Sequence, residues 1–199
     1  MQCFCNNIMK LVKVNNYEMY VCEKCGHMKK KNILPDELQK IRYDNHICDE
    51  GYIKYMNNVY GKISKYLNAG ISLDYGCGQI HALSDILNSN NQKCDYYDLF
   101  YYNKLENKKY DNVILIEVIE HIEDIVSEIL KIKEMLNDNG RVIIMTNFIP
   151  DNINNWWYLR DSTHVSFLNE SSIIELAKIV EMDVEINRDI NLFVLMKKA

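Results

Sequence analysis

The chain has 199 residues, 48% of them hydrophobic, with a formal net charge of −5. That is enough for one full core and a small appendage, and it excludes a global basic field that would draw the chain to nucleic acid. No apolar run approaches the ~20 residues of a membrane span, and Met1-Gln2-Cys3-Phe4-Cys5 lacks the charged and apolar regions of a signal peptide.

A cytoplasmic location is therefore expected. In a reducing compartment the seven cysteines read as thiols or metal ligands rather than disulfides.

Residues 1–34 differ in composition from the rest and form a first predicted unit. Cys22-Glu23-Lys24-Cys25-Gly26 spaces two thiols so that both can reach one ion from a tight turn. Cys3 and Cys5 supply a second pair, completing a set of four thiolates suited to zinc. The first pair is Cys-x-Cys rather than Cys-x-x-Cys, and His27 is an alternative ligand. Apolar stretches 9–14 and 17–21 flank Asn15-Asn16 and read as two short strands, the layout of a zinc ribbon. A hairpin this small cannot bury a core alone, which favours a bound structural ion.

The second unit, 35–199, opens with Pro35 followed by Asp36 and Glu37, the signature of a helix start. Arg42, Tyr43 and His46 on that helix can face an active-site mouth. Gly51 reads as an interruption, and 52–67 as an amphipathic helix. Residues 70–73 read as a buried strand, and 82–87 have helical spacing. Between them lies Asp74-Tyr75-Gly76-Cys77-Gly78. A strand, a glycine turn and a helix make a nucleotide-type site: glycine lets the backbone approach a ligand, and the helix N-terminus offers free N–H groups. Asp74 at the strand end can accept hydrogen bonds from a ligand.

Residues 93–97 read as a second strand ending at Asp98. An acid about 20 residues beyond a glycine loop can hold both ribose hydroxyls. Only twelve residues then lead to Asp111, too few for a helix and another strand. That sheet edge is expected to be trimmed, with Leu99, Phe100 and Tyr101 covering an open adenine pocket. Residues 110–118 read as a central parallel strand, apolar on both faces, leading into Glu117-Val118-Ile119-Glu120-His121. A helix over 122–137, closed by Asn139-Gly140, precedes a buried strand at 141–146. A long loop, 147–168, carries Trp156-Trp157-Tyr158-Leu159-Arg160-Asp161-Ser162-Thr163-His164. A helix over 171–180 and an antiparallel pair at 184–188 and 192–196 complete an α/β, doubly wound Rossmann-like sheet.

The glycine turn resembles the cofactor loop Asp-x-Gly-x-Gly-x-Gly of class I S-adenosylmethionine (SAM) dependent methyltransferases, with Ile80 in place of the third glycine. Tyr97-Asp98-Leu99-Phe100, the Glu117 to His121 segment, the Trp156 to His164 loop and the cysteine-rich start together resemble one group of these enzymes. The resemblance implies SAM as cofactor, held by Asp74, Gly76, Cys77, Gly78, Asp98, Leu99, Glu117 and Val118. It leaves His121 and His164 as candidate bases for methyl transfer, and Trp156, Trp157, Tyr158 and Arg160 as candidate acceptor contacts.

A small-molecule or sugar-like acceptor is the first reading. The Glu-x-x-Glu-His segment also resembles the metal-binding segment of RNA 3′-terminal 2′-O-methyltransferases. Glu117, Glu120 and His121, with His164, would there hold a divalent ion that acidifies a substrate hydroxyl. Acidic net charge and scarce arginine argue against RNA. The third reading is a degenerate methyltransferase fold serving as a zinc-dependent binding module, supported by Ile80 alone. The oligomeric state is not encoded in any feature of the sequence.

Overall fold

The computed structural model describes residues 1–47 and 49–198. In chain order, β1 (Lys10–Val14) and β2 (Tyr17–Val21) form a hairpin, followed by β3 (Met28–Lys30), α1 (Asp36–Asp44) and α2 (Glu50–Ile63). Then come β4 (Ser72–Tyr75), α3 (Ala82–Ser89), β5 (Cys94–Tyr97), β6 (Tyr110–Ile116), α4 (Ile125–Glu134) and β7 (Leu136–Met145). Last are β8 (Ser166–Phe167), α5 (Glu170–Ile179), β9 (Met182–Asn187) and β10 (Leu192–Lys197).

The larger sheet has the order β5-β4-β6-β7-β10-β9. Strands β5, β4, β6 and β7 run parallel, and β10 is antiparallel to both of its neighbours. This is the expected mixed α/β sheet. Side chains of β6 and β7 alternate between its faces. Val113, Leu115, Val142 and Ile144 pack with Ile129 of α4 and Leu176 of α5. Ile114 and Ile143 pack on the other face with Val59 of α2 and Leu83 of α3. Both faces are covered, so these strands read as unbroken apolar runs. The edge beyond β5 is trimmed as expected: residues 99–109 form neither helix nor strand.

Three local expectations are corrected. The first helix ends at Asp44 and the second begins at Glu50, so Gly51 is not the interruption between them. Asp49 caps the second helix, accepting from the Tyr52 N–H at 3.0 Å, and Gly51 sits in the first turn. Asn139-Gly140 does not close a helix, since α4 ends at Glu134. Both residues lie in β7, where pairing with β6 shifts between Tyr110 and Asn112, and Asn139 takes φ +60°. The 147–168 stretch is not loop throughout. It contains a 3-10 turn at Trp157–Arg160 and strand β8.

β8 joins the two parts of the chain. The smaller sheet has the order β1-β2-β3-β8, with Met28 opposite Phe167 and Lys29 opposite Ser166. Met19, Met28, Tyr158, Leu159 and Phe167 share one buried cluster, so the N-terminal hairpin packs against the Trp-Trp-Tyr stretch.

Candidate active site

The two loop glycines take the left-handed conformation, φ +83° at Gly76 and +73° at Gly78. At Gly76 a Cβ would stand 2.6 Å from Val118 Cγ2, so glycine alone lets the turn after β4 meet the segment after β6. Glu117 also takes a positive φ, +53°, rare for a side-chain-bearing residue. A cavity of about 680 Å³ opens over these strand ends.

Gly76, Cys77, Gly78, Asp98, Leu99, Glu117 and Val118 line it, as do Phe100 and Tyr101. The structure thus brings together all but one of the residues expected at a cofactor. The exception is Asp74, which is buried behind the loop and accepts from the Ser84 N–H in the first turns of α3. Burial, outweighing that hydrogen bond, pushes its carboxyl up to about 7.

Asp98 ties the loop to the end of β5. Its Oδ2 accepts from the Gly78 N–H at 3.0 Å, and its Oδ1 from the N–H groups of Phe100 (2.8 Å) and Tyr101 (3.2 Å).

Tyr43 and His46 of α1's last turn and its exit line the cavity, whereas Arg42 turns away to pair with Asp161 at 2.8 Å. His121 lines the cavity and Tyr43 Oη lies 3.0 Å from its Nδ1. The same Nδ1 is 3.1 Å from the Thr163 carbonyl oxygen. His164 is buried behind His121, with ring centroids 4.8 Å apart, and its Nδ1 lies 2.9 Å from the Tyr158 carbonyl oxygen. An Nδ1–H donating to a carbonyl fixes the tautomer and leaves Nε2 with a lone pair. Burial pulls both imidazoles down, His121 to about 4 and His164 to about 3, so both are neutral near pH 7. The His121–Glu120 approach of 4.0 Å is then no ion pair.

The predicted acceptor residues do not line this cavity. Trp157 is 59% exposed, Arg160 is exposed, and Trp156 packs on Phe167. Tyr158 is buried and closes a polar network. Its Oη lies 2.8 Å from Glu117 Oε2, 2.5 Å from Glu120 Oε1 and 3.1 Å from Thr146 Oγ1, while Thr146 donates to Glu120 Oε2 at 2.9 Å. One phenolic proton cannot serve two carboxylates, so one carboxyl carries a proton. Burial pushes both acids upward, and the nearby Glu120 charge adds to the rise at Glu117.

Sequence reasoning missed Tyr55 and Met56 of α2, and Tyr75, Glu128 and Lys131 at the trimmed edge, all of which line the cavity. The i, i+3 spacing of Tyr52 and Tyr55 was a usable signal, because it sets two tyrosines on one helix face. Tyr55 is pushed up to about 12 by burial and by the nearby Glu117 and Glu120 carboxylates.

The four N-terminal thiols converge at the far end of the smaller sheet. All are buried, and their sulfurs lie within 4.8 Å of one another. Cys5–Cys22 and Cys3–Cys25 approach to 3.4 and 3.6 Å, too long for a disulfide and near the ~3.8 Å edge of a zinc–thiolate tetrahedron. Burial pushes Cys3 up to about 12 and raises Cys25 too, while, against burial, hydrogen bonds within the knuckle hold Cys22 down to about 6, so ionising the whole set needs a cation there. The donor set fits zinc. A second group, Glu120, His121 and His164, also brings its ligand atoms within 4.8 Å.

A mostly parallel sheet with a glycine turn after one strand and an acid at the end of the next defines the nucleotide-cofactor class of α/β proteins. Residues 52–183 match the family described as "Methyltransferase domain", and the chain belongs to it. No curated protein matches by sequence.

Among solved structures, an O-methyltransferase family protein from Burkholderia thailandensis is similar at 10% identity and TM-score 0.57 over 81% of this chain. This chain spans 63% of that protein's length. The 1,6-didemethyltoxoflavin-N1-methyltransferase of the same organism, solved with bound 1,6-didemethyltoxoflavin and S-adenosylhomocysteine, is similar at 10% identity and TM-score 0.57, covering 94% of this chain and 98% of its own. An O-methyltransferase from neocarzinostatin biosynthesis, solved with S-adenosylhomocysteine and 1,4-dihydroxy-2-naphthoic acid, is similar at 15% identity and TM-score 0.54, covering 82% of this chain and 59% of its own. No helix among the described residues is long and apolar enough to cross a membrane.

Proposed function

We propose that this protein is a SAM-dependent methyltransferase acting on a small-molecule acceptor. The observation that carries the reading is the single cavity wall formed by Gly76, Gly78, Asp98, Glu117 and His121. SAM bound there would supply an activated methyl group on a sulfonium. The loop glycines admit its close approach, and Asp98, whose Oδ2 keeps a lone pair beyond the Gly78 N–H, accepts from a ribose hydroxyl. Tyr43, Phe100 and Tyr55 wall the acceptor side and exclude water. His121, its Nδ1 facing the Thr163 carbonyl, offers Nε2 to a proton leaving the acceptor.

Asp36, Asp98, Glu117, Glu123 and Glu128 line the cavity. Among the described lining residues only Lys131 is a cation, and it pairs with Glu128. That field suits a cationic cofactor with a neutral or cationic acceptor, and it disfavours a polyanion such as RNA. We divide the chain into a ribbon-like segment, 1–34, holding zinc through Cys3, Cys5, Cys22 and Cys25, and a methyltransferase domain, 35–199. None of the six described cysteines is in a disulfide, in keeping with a cytoplasmic location.

Calorimetry and thermal melting with S-adenosylhomocysteine test the reading. At ~100 times its dissociation constant the ligand should add roughly 2.7 kcal/mol of stability. Asp98→Ala should weaken binding by roughly 10²-fold. A zinc-replete protein that neither binds nor shifts at millimolar ligand would instead be a binding module.

A second reading adds a divalent ion at Glu120, His121 and His164, favoured because both Nδ1 atoms face backbone carbonyls and both Nε2 atoms keep lone pairs. It expects metal analysis to find a second equivalent beyond the cysteine site, lost in His164→Ala. One equivalent in both proteins rejects it.

A further inference from the structure

The cysteine cluster and the two imidazoles lie in different parts of the sequence, yet hydrogen bonds run unbroken between them. The knuckle leads directly into β3: the Gly26 N–H donates to the Cys22 carbonyl at 2.8 Å, and the Cys22 N–H to the His27 carbonyl at 2.9 Å. His27 is buried between the cluster and β8. Its Nδ1 lies 3.7 Å from Cys3 Sγ and its Nε2 3.1 Å from Ser166 Oγ.

β3 then holds the 161–165 segment at two points and the stretch after His121 at a third. The Lys30 N–H donates to the Val165 carbonyl at 2.8 Å, and Lys30 Nζ donates to the Asp161 carbonyl at 2.6 Å. Lys29 Nζ donates to the Glu123 carbonyl at 2.9 Å. On its other side, the Val165 N–H donates to the Glu120 carbonyl at 2.8 Å. The Asp161 carboxylate in turn takes the N–H and hydroxyl of Thr163, and the Thr163 carbonyl faces His121 Nδ1.

We propose that β3, through Lys30 and with His27 just before it, is a positioning strand for the His121–His164 pair, so that filling of the cysteine site is felt at both imidazoles. The proposal takes the role of that pair from the proposed function. Between Arg160 and Ser166 no helix or strand fixes the backbone, so the carbonyl beside His121 and the segment bearing His164 depend on tertiary contacts, to which β3 adds two beside the Arg42–Asp161 pair and the Val165–Glu120 bond. A three-residue strand is itself a weak template. Its order comes from the knuckle before it, and an ion at the cysteines stiffens the whole path. Linkage makes the effect reciprocal, because anything that locks the 161–165 segment tightens metal binding by the same factor.

The test uses the whole metal-loaded protein and reads the imidazole Cε1–H signals of His121 and His164 by NMR at one fixed pH. Amide exchange at Val165 and S-adenosylhomocysteine affinity are read alongside. Lys30→Met is the central variant, because it deletes the ammonium–carbonyl bond to Asp161 and leaves the cysteines alone. Both imidazole signals should move by more than a linewidth, and Val165 should exchange about tenfold faster. S-adenosylhomocysteine affinity should stay within about twofold, since the glycine loop is not in the path.

His27→Phe should reproduce the shifts and His27→Gln, which keeps a donor toward Ser166, should restore them. Chelation should give the largest change. If Lys30→Met, His27→Phe and chelation all leave the two imidazoles and Val165 unmoved, the ribbon is an independent appendage and the proposal fails. Should metal-loaded protein not bind S-adenosylhomocysteine, the enzyme reading fails, while the imidazole shifts still decide the coupling.

Discussion

At the residue scale, single backbone and proton requirements decide the site. Gly76 combines a left-handed φ with a Cβ position inside the Val118 side chain. Gly76→Ala should therefore cost about 1–3 kcal/mol of stability and abolish S-adenosylhomocysteine binding, as melting and calorimetry would register.

Asp74 is fully buried, and burial raises its carboxyl from 3.8 to about 7. A carboxyl raised on folding gives stability that is present below its unfolded value and is lost as pH climbs through the folded one. Asp74→Asn keeps an oxygen for the Ser84 N–H and cannot ionise. Between pH 4 and 7 the wild type should lose ground to Asp74→Asn by roughly 2–3 kcal/mol. Parallel urea titrations across that range check this, and parallel stability curves would contradict it.

The residues easiest to place from sequence were those whose chemistry and spacing act locally. Gly76, Gly78, Asp98 and Glu117 fall at ends of adjacent strands, and strand ends must converge in a parallel sheet. The tryptophans and Arg160 lie off the cavity, and an aromatic-rich loop is equally suited to a pocket wall and to a core plug. The apolar underside of the ribbon, invisible in a local pattern, captured Trp156 and Tyr158.

At the scale of elements, long apolar runs were legible and short strands were not. β6 and β7 are covered on both faces and announce themselves as continuous hydrophobic stretches. β3 and β8 have three and two residues, too few for any period to register. Their pairing nevertheless sets how the ribbon meets the sheet domain. Phe167 is 1% exposed at the centre of the shared cluster. Phe167→Ala should cost about 3–5 kcal/mol. It should also raise amide exchange in β2 and β3 ahead of the main sheet. Equal loss of protection in both sheets would show that they unfold as one unit.

At the scale of the molecule, the amino-acid sequence by itself determined the class of fold, the trimmed edge and two candidate ligand groups. Those follow from periodicity, from chain length between strands, and from side chains whose chemistry is confined to a few neighbouring residues. Tertiary structure alone decided that Asp74 is buried and bonded to α3 and that Tyr158 is divided between two acids. It also decided that Glu128 and Lys131 line the opened edge, and that the cysteine ribbon is stitched to the His164 segment. Each of these depends on contacts between residues tens of positions apart. Such contacts form only where burial of one face dictates which distant segment can cover it, and no local pattern records that choice.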